Sequence, residues 1–435
     1  AFWSFMTFLS GTAKSFLALS VYRFGVGIGE SSASPSAYSL LADYFSPKVR
    51  ATVISIYASG LYIGSGIGIF IGGLIVDNWN NAYPIISEAP FGLKGWQVAF
   101  MAVGIPGMLL ALLTWQIKEP PRGLSEGLIS SESKNPLKET FKELVGLTPF
   151  GLVGSDNFKK ELFVNIIFTV LIFLASYYLY VLTGDFLQWT AFGIGVYVIC
   201  NWIHGLKNRD PVAFLLMFKS KALLLGLLSF PFITFVTYAL GAFGPSFYIR
   251  NFSMTATEVG IIYGLITVFG SMIGVICGGI LGDKLRETYV NGKLYLIMAS
   301  AVLTGVTAIG FIHSENLVAS FTWKFVYHIA STAWLGCAAS TVTELVLPRL
   351  RAVASAFFIL MLSMIGLALG PYLTGMVSDI YINSGLLPGP ALKNAMTLTL
   401  VVLVLPFGLL AVACKYLKND EAEIYEKARS LGEEI

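Results

Sequence analysis

The residues with the greatest chemical capacity in this chain are ionisable groups set inside apolar sequence. Glu30 lies near the middle of an apolar run over 16–42, and Arg23 precedes it by seven positions. Seven residues are two helical turns, roughly 10 Å along one face. That is too far for a direct ion pair unless both side chains bend, and near enough for a shared polar stripe. A bare charge at such depth costs on the order of 2.5–3.5 kcal/mol on insertion scales, so Glu30 is expected to face a cavity and to hold a partner or a proton. Desolvation and a nearby guanidinium pull its protonation in opposite directions. Glu30 is therefore a candidate proton-coupling group and Arg23 a candidate holder of an anionic head group. A fixed ion pair between helices is the other reading of the same two residues.

The run continues Ser31-Ser32-Ala33-Ser34-Pro35-Ser36-Ala37-Tyr38-Ser39. Small residues allow close backbone approach, hydroxyls can line a wet path, and Pro35 frees a carbonyl and bends the helix. Ser31, Ser34 and Tyr38 are candidate cavity residues, ordinary helix packing being the alternative. A later stretch, His328-Ile329-Ala330-Ser331-Thr332-Ala333-Trp334, has the same character but sets Ser331 where Glu30 stands. His328, Ser331 and Trp334 join the candidate cavity, and coupling chemistry is expected mainly around Glu30. His328 titrates in a useful range, although a lone histidine in a membrane span is commonly a hydrogen-bonded packing residue.

A third group of charges sits in short loops. Asp43, Lys48 and Arg50 are mirrored by Glu344, Arg349 and Arg351, and Asp283 stands beside Lys284 and Arg286. Asp43, Arg50, Asp283, Arg286, Glu344 and Arg351 are expected to form a cytoplasmic gate that latches two halves in an outward-open state and breaks when the inside opens. A simple preference for positive charge on the inner side would also put them there. No P-loop, metal-ligand cluster or nucleophile–His–acid set is present in the sequence, so no catalytic residue, metal or cofactor is expected. The four cysteines, Cys200, Cys277, Cys337 and Cys414, lack ligand or pairing spacing and read as small core hydrophobes.

The elements that position these groups follow from composition. Of 435 residues 56% are hydrophobic and 12% charged, about half the charged share of a soluble domain, and mean hydropathy is +0.74. Soluble enzymes and nucleic-acid binders are excluded. Apolar runs long enough to cross a bilayer recur near 1–13 (short), 16–42, 51–76, 96–117, 162–182, 187–205, 222–248, 257–281, 294–313, 321–346, 353–378 and 395–416. If the loop after 16–42 is cytoplasmic, only Lys14, Lys94, Arg250 and Lys393 of the 28 basic residues fall outside, with Arg23 and Lys324 within or at the edge of spans. This is a strong positive-inside pattern. The expectation is an all-α, multi-pass integral membrane protein with its tail cytoplasmic, in a plasma membrane or bacterial inner membrane.

An internal repeat organises the spans. An offset of 301 residues brings Arg23 onto Lys324, Asp43 onto Glu344, Pro47 onto Pro348, Arg50 onto Arg351 and Ala51 onto Ala352. One residue further, Gly64, Gly68, Gly73 and Asp77 meet Gly366, Gly370, Gly375 and Asp379. Same-sense repeats imply two similar halves about an axis along the membrane normal. The expected organisation is a first half over 1–117, then a cytoplasmic linker over 118–221 containing an inserted transmembrane hairpin at 162–205. A six-helix second half over 222–416 and a cytoplasmic tail over 417–435 complete it. Run backwards, the repeat implies that the first two helices of the first half, and part of the third, are absent from this chain.

These residues carry a family resemblance. The run Gly278-Gly279-Ile280-Leu281-Gly282-Asp283-Lys284-Leu285-Arg286 resembles the loop signature after the second helix of each half in the major facilitator superfamily. Arg23 and the glycine ladders at 64–73 and 366–375 resemble its other motifs. More narrowly, Arg23-Phe24-Gly25-Val26-Gly27-Ile28-Gly29-Glu30, with Ser39-Leu40-Leu41-Ala42-Asp43-Tyr44-Phe45 and Arg50-Ala51, is similar to the Spinster family of lipid transporters. Anion:cation symporters also carry an Arg, a glycine run and a Glu in this helix, and the inserted hairpin departs from the plain twelve-helix pattern. The resemblance implies a monomeric secondary transporter working by alternating access. It would move a small amphiphilic, lysolipid- or sphingolipid-like substrate across membrane lipid with proton coupling, with no nucleic-acid partner. An organic-anion symporter or drug exporter is the alternative within transport; a lipid-modifying membrane enzyme and a non-transporting receptor are the alternatives outside it.

Overall fold

The computed structural model describes residues 1–127, 141, 144–146, 148 and 158–430. Among these every regular element is helical, and nine helical segments are long and apolar enough to cross a bilayer. The other three spans read from the sequence are shorter, each for a local reason. The first is α1 (Phe2–Ser10), which ends at Gly11. The second is divided into α2 (Phe16–Glu30) and α3 (Ala33–Tyr44) by a turn at Ser31 and Ser32. Pro35 has no N–H to offer the Ser31 carbonyl four residues back. Ser31 N–H still reaches Gly27 O at 3.0 Å, and the ladder resumes with Ser36 N–H on Ser32 O at 3.1 Å. The break thus sits one turn before the proline, directly after Glu30.

The third short span is divided at the matching place, between α12 (Leu317–Thr332) and α13 (Leu335–Glu344). Gly336 here occupies the repeat position of Pro35, and its reason for being glycine is contact: a Cβ would lie 1.8 Å from Ser55 Oγ and 2.7 Å from Ala51 O. Ser55 and Ala51 belong to α4 (Arg50–Ala82), a 33-residue helix. After α5 (Gly95–Thr114) come the inserted helices α6 (Phe158–Thr183) and α7 (Phe186–Arg209), then the short α8 (Pro211–Lys219). The long helices of the remaining bundle are α9 (Lys221–Phe252), α10 (Ala256–Thr288) and α11 (Gly292–His313). Beyond α13, α14 (Arg351–Met361) and α15 (Ala368–Asn383) are joined by π-helical Leu362–Leu367, and α16 (Pro388–Thr399) and α17 (Val404–Ala413) by a 3₁₀ turn. A final helix, α18 (Leu417–Ser430), follows the last span.

The early and late parts of the chain are joined where α4 lies along α10 and against α13 and where α3 lies against α14. Small residues set the spacing. A Cβ on Gly279 of α10 would also fall 2.7 Å from Ala51 O, so the first turn of α4 is wedged between α10 and α13. Gly270, Gly274 and Gly278, four residues apart, press α10 onto α12, the last two against the carbonyls of Ile329 and Ala333. The two glycine ladders behave differently. Gly366 and Gly370 press on Thr234 and Phe235 of α9, whereas Gly64, Gly68, Gly72 and Gly73 meet no neighbouring element among the described residues.

The hairpin of α6 and α7 is held by a buried polar pair, Asn165 Nδ2 donating to Asn201 Oδ1 at 2.6 Å, with Tyr197 Oη donating to Asn165 at 3.2 Å. Against the bundle, α7 places Gln188 Nε2 on Ala368 O at 3.1 Å and stacks Trp202 on Phe357 at 5.4 Å. Cys200, Cys277, Cys337 and Cys414 are all free thiols.

Candidate functional site

At one end of the bundle the loop charges converge into a single network. Arg50 opens α4 and is completely buried; its Nη2 donates to Ala42 O at 2.9 Å and to Glu126 Oε1 at 2.9 Å. Arg351 opens α14, equally buried, and its Nε donates to Thr343 O at 3.3 Å. Each arginine thus turns back onto a carbonyl eight residues earlier, at equivalent positions of the repeat. Each then reaches across. Arg351 Nη1 meets Asp43 Oδ1 at 2.7 Å, while Arg50 Nη1 stays 4.0 Å from Glu344 Oε1. The symmetry fails because Glu344 is drawn to Lys293, 2.6 Å away, and accepts from Ser340 Oγ at 2.7 Å.

Asp283 binds in another manner. Its carboxylate accepts from Ala51 N at 3.2 Å, Thr52 N at 2.7 Å and Thr52 Oγ1 at 2.7 Å, with Lys293 Nζ 3.5 Å away. A carboxylate from α10 therefore caps the N-terminus of α4, where orphan N–H groups and the helix dipole both favour negative charge. Of the six expected gate residues, Asp43, Arg50, Asp283, Glu344 and Arg351 share this network. Arg286 does not: it pairs with Glu421 of α18 at 2.5 Å.

Three members carry no motif that sequence reasoning could use. Lys293 is nearly fully buried between Asp283 and Glu344. Glu126, on a 3₁₀ turn of the linker, bridges Arg50 and Arg351 and accepts Tyr425 Oη at 2.8 Å from α18. Burial works to raise the pKa of Glu126, but the guanidiniums of Arg351 and Arg50 outweigh it and hold the carboxyl below its ordinary value. The same environment acts on Tyr425, whose phenol is pushed up to about 12 by burial and then by Glu126. Glu421 is pushed up by burial despite Arg286. Only the 301-residue repeat pointed here, and it could not show that linker and tail complete the network.

The intramembrane candidates divide between the two repeats. Arg23 and Glu30 are both exposed on α2, as are Phe24 and Ile28. Arg23 has its guanidinium 5.8 Å from the centre of the Phe100 ring, and Glu30 has no hydrogen bond or ion pair among the described residues. The expected partner for Glu30 is therefore not found there. Ser31 is exposed and donates back to Ile28 O at 2.8 Å, Ser34 is half-buried, and Tyr38 is buried edge-on against Tyr57. The second-repeat candidates are packed instead. His328 faces Thr267 Oγ1 at 3.1 Å and Ser271 Oγ at 3.3 Å, Ser331 bonds the His328 carbonyl, and Trp334 Nε1 donates to Ser331 O at 3.0 Å while stacking on Phe230.

A helical bundle with a duplicated broken helix and a charged seam between its two parts matches a known family. The model of the Major Facilitator Superfamily fits residues 1–371. The chain belongs to the Major Facilitator Superfamily. It is thus a multi-pass membrane protein and a transporter rather than an enzyme. It is 24% identical over 430 residues to an efflux pump of this superfamily from Mycolicibacterium smegmatis, covering 98% of this chain and 77% of the pump. It is 22% identical over 389 residues to the protein spinster of Drosophila melanogaster, covering 87% of this chain and 49% of that protein. This facilitator chain spans about half the length of that relative. Among solved structures, a proton:xylose symporter shares the fold at a TM-score of 0.54 and 13% identity, covering 96% of this chain and 78% of the symporter.

Proposed function

We propose that this chain is a secondary transporter that moves an amphiphilic, lysolipid- or sphingolipid-like substrate by alternating access, coupled to protons. The observation that carries the reading is the charged network at one end. Asp283 of α10 caps α4, and Arg351 of α14 pairs with Asp43 of α3, so that end is shut by contacts that must break for it to open. In the orientation read from the basic loops, the shut end is cytoplasmic and the arrangement faces outward. The repeat-related α2 leaves Arg23 and Glu30 exposed on an otherwise apolar face, a pairing suited to a ligand with a charged head and an apolar tail. Glu30 is the proton carrier in this scheme, and Arg23 holds the head group. The resemblance of the motifs over 23–51 to the Spinster lipid transporters is the ground for the substrate class, and the similarity to the spinster protein of Drosophila melanogaster is in keeping with that family.

A drug exporter or organic-anion symporter is the second reading, favoured by the mycobacterial efflux pump. The test is uptake of a radiolabelled lysophospholipid into proteoliposomes under an imposed pH gradient, compared with ethidium. Lysophospholipid flux that follows the gradient and is lost in Glu30→Gln supports the proposal. Gradient-driven uptake at the wild-type rate in Glu30→Gln sinks the coupling role, and transport of ethidium alone moves the assignment to the exporter.

A further inference from the structure

Lys324 of α12 is completely buried, and its Nζ has no hydrogen-bond partner. The other fully buried or nearly buried basic side chains, Arg50, Arg351 and Lys293, are each paired with carboxylates. No acidic residue lies within ion-pair distance of Lys324 among the described residues. Its ammonium is instead walled by three rings from three helices: Phe311 of α11 at 4.3 Å, Tyr327 of its own helix at 4.4 Å, and Tyr263 of α10 at 5.0 Å. Ring faces attract a desolvated cation, but they supply no counter-charge that fixes its protonation. A long cation is a costly filler for an apolar core, where Met or Leu would pack without desolvation.

Register adds a second observation. Lys324 is the repeat mate of Arg23, which also sits over an aromatic ring but in the open. The same position thus carries a cation in both repeats, exposed in one and shut in the other. The wall of the cage is also tied to the gate. Tyr263 and Asp283 lie on one continuous helix, α10, so the carboxylate that caps α4 and the ring that covers Lys324 move together.

We propose that Lys324 is a proton-exchange site of the second repeat, its ring cage opening when the charged end unlatches. As the cage closes, the ammonium passes one proton to a water molecule on the side it is leaving, giving an amine and a hydronium ion. On reopening to the other side the amine takes a proton from a hydronium ion there, which leaves as water. The groups around it fit this role because none supplies a fixed counter-charge. They are Tyr263 on α10, Tyr248 on α9, and Tyr327 with His328 on α12, the histidine being tied to Thr267 and Ser271. Glu258, on α10, is exposed and engaged in capping Thr255. The inference rests on the transport cycle proposed above and is independent of the substrate's identity.

The test has two arms, both on the full chain in proteoliposomes. In the first, reductive methylation with formaldehyde and cyanoborohydride is followed at Lys324 by mass spectrometry, with and without an imposed pH gradient and with no substrate present. Several-fold faster modification under the gradient is the expected result; a lysine unreactive in both conditions overturns the proposal. In the second arm, trapped pyranine counts protons moved in Lys324→Met and Lys324→Arg vesicles, with counterflow of radiolabelled lysophospholipid as the control for folding and binding. Both variants are expected to keep counterflow and to lose at least half of the proton movement. Proton movement equal to wild type in Lys324→Met overturns the proposal. If wild-type vesicles show no lysophospholipid counterflow, the substrate reading fails while the methylation arm still decides the role of Lys324.

Discussion

Asp283→Asn isolates the contact by which one half of the transporter caps a helix of the other. In the shut end, the Asp283 carboxylate takes three hydrogen bonds from the first turn of α4, at 3.2, 2.7 and 2.7 Å, and lies 3.5 Å from Lys293. Hydrogen bonds to a charged acceptor contribute about 1.5–3 kcal/mol each. Asparagine keeps one acceptor oxygen; with that oxygen on Thr52 its amide donor faces Ala51 N, so at least one of the three bonds, the charge on the others and the charge opposite Lys293 are lost. Lys293 keeps Glu344 at 2.6 Å, so no buried charge is left unpaired and the loss is about that of one or two charge-assisted bonds, roughly 2–5 kcal/mol. Part of that loss also falls on the open state, where the carboxylate would be hydrated, leaving a differential of about 2–4 kcal/mol. The equilibrium between shut and open ends should therefore shift by roughly 30- to 1,000-fold toward open. The assay is the distance between spin labels at Lys48 and Lys284, both exposed, in nanodiscs and in a chain whose four cysteines are replaced by Ala. Asp283→Asn is expected to raise the long-distance population at the expense of the short one. An unchanged distance distribution would refute the reasoning, since it would mean that the cap stabilises both states equally.

Two further outcomes follow from the same network and its packing. Glu126 is a depressed acid, so its contribution is present above the ordinary value of 4.5 and lost as pH falls through its lower value in the shut state. The contribution of Glu126 to the shut population should be flat between about pH 8 and 5.5 and decline only in stronger acid, so the difference between wild type and Glu126→Gln should stay constant over that range. The same label pair read across pH checks this, and a decline near neutrality would place the titrating group elsewhere. Gly278→Leu must displace the Ala333 carbonyl, since even a Cβ would stand 2.0 Å from it. Forced overpacking of this kind costs about 1–3 kcal/mol, so the melting temperature in detergent should fall, whereas Gly72→Leu, on the open ladder, should leave it unchanged.

Much of the architecture is legible in the residues because bilayer crossing imposes simple requirements. Nine of the spans read from apolar runs are long continuous helices. The other three are short for local reasons, and only one of them, the break one turn before Pro35, follows from a residue that chemistry marks in advance. The matching break before Gly336 arises from helix contact and has no such mark. The gate is a similar case. Repeat alignment singled out Asp43, Arg50, Glu344 and Arg351, but nothing in their spacing required Arg351 to reach Asp43 while Arg50 stops short of Glu344. Lys293 decides that asymmetry from another helix.

The sequence by itself determined that the chain spans a membrane, that it is duplicated, and which few charges lie at depth, because each of these is a property of composition along one dimension. Only the tertiary structure decided which charges meet. Glu126 and Tyr425 join the charged network from segments that carry no motif, and Arg286 turns to Glu421 instead. It also exchanged the roles of two residues at one repeat position: Arg23 lies open, and Lys324, which sequence reading left at the edge of a span, is enclosed by rings from three helices. Helix register tells which residues share a face, but pairing depends on how far apart helices pack, and that distance is set by glycines touching backbone on a neighbour far away in sequence.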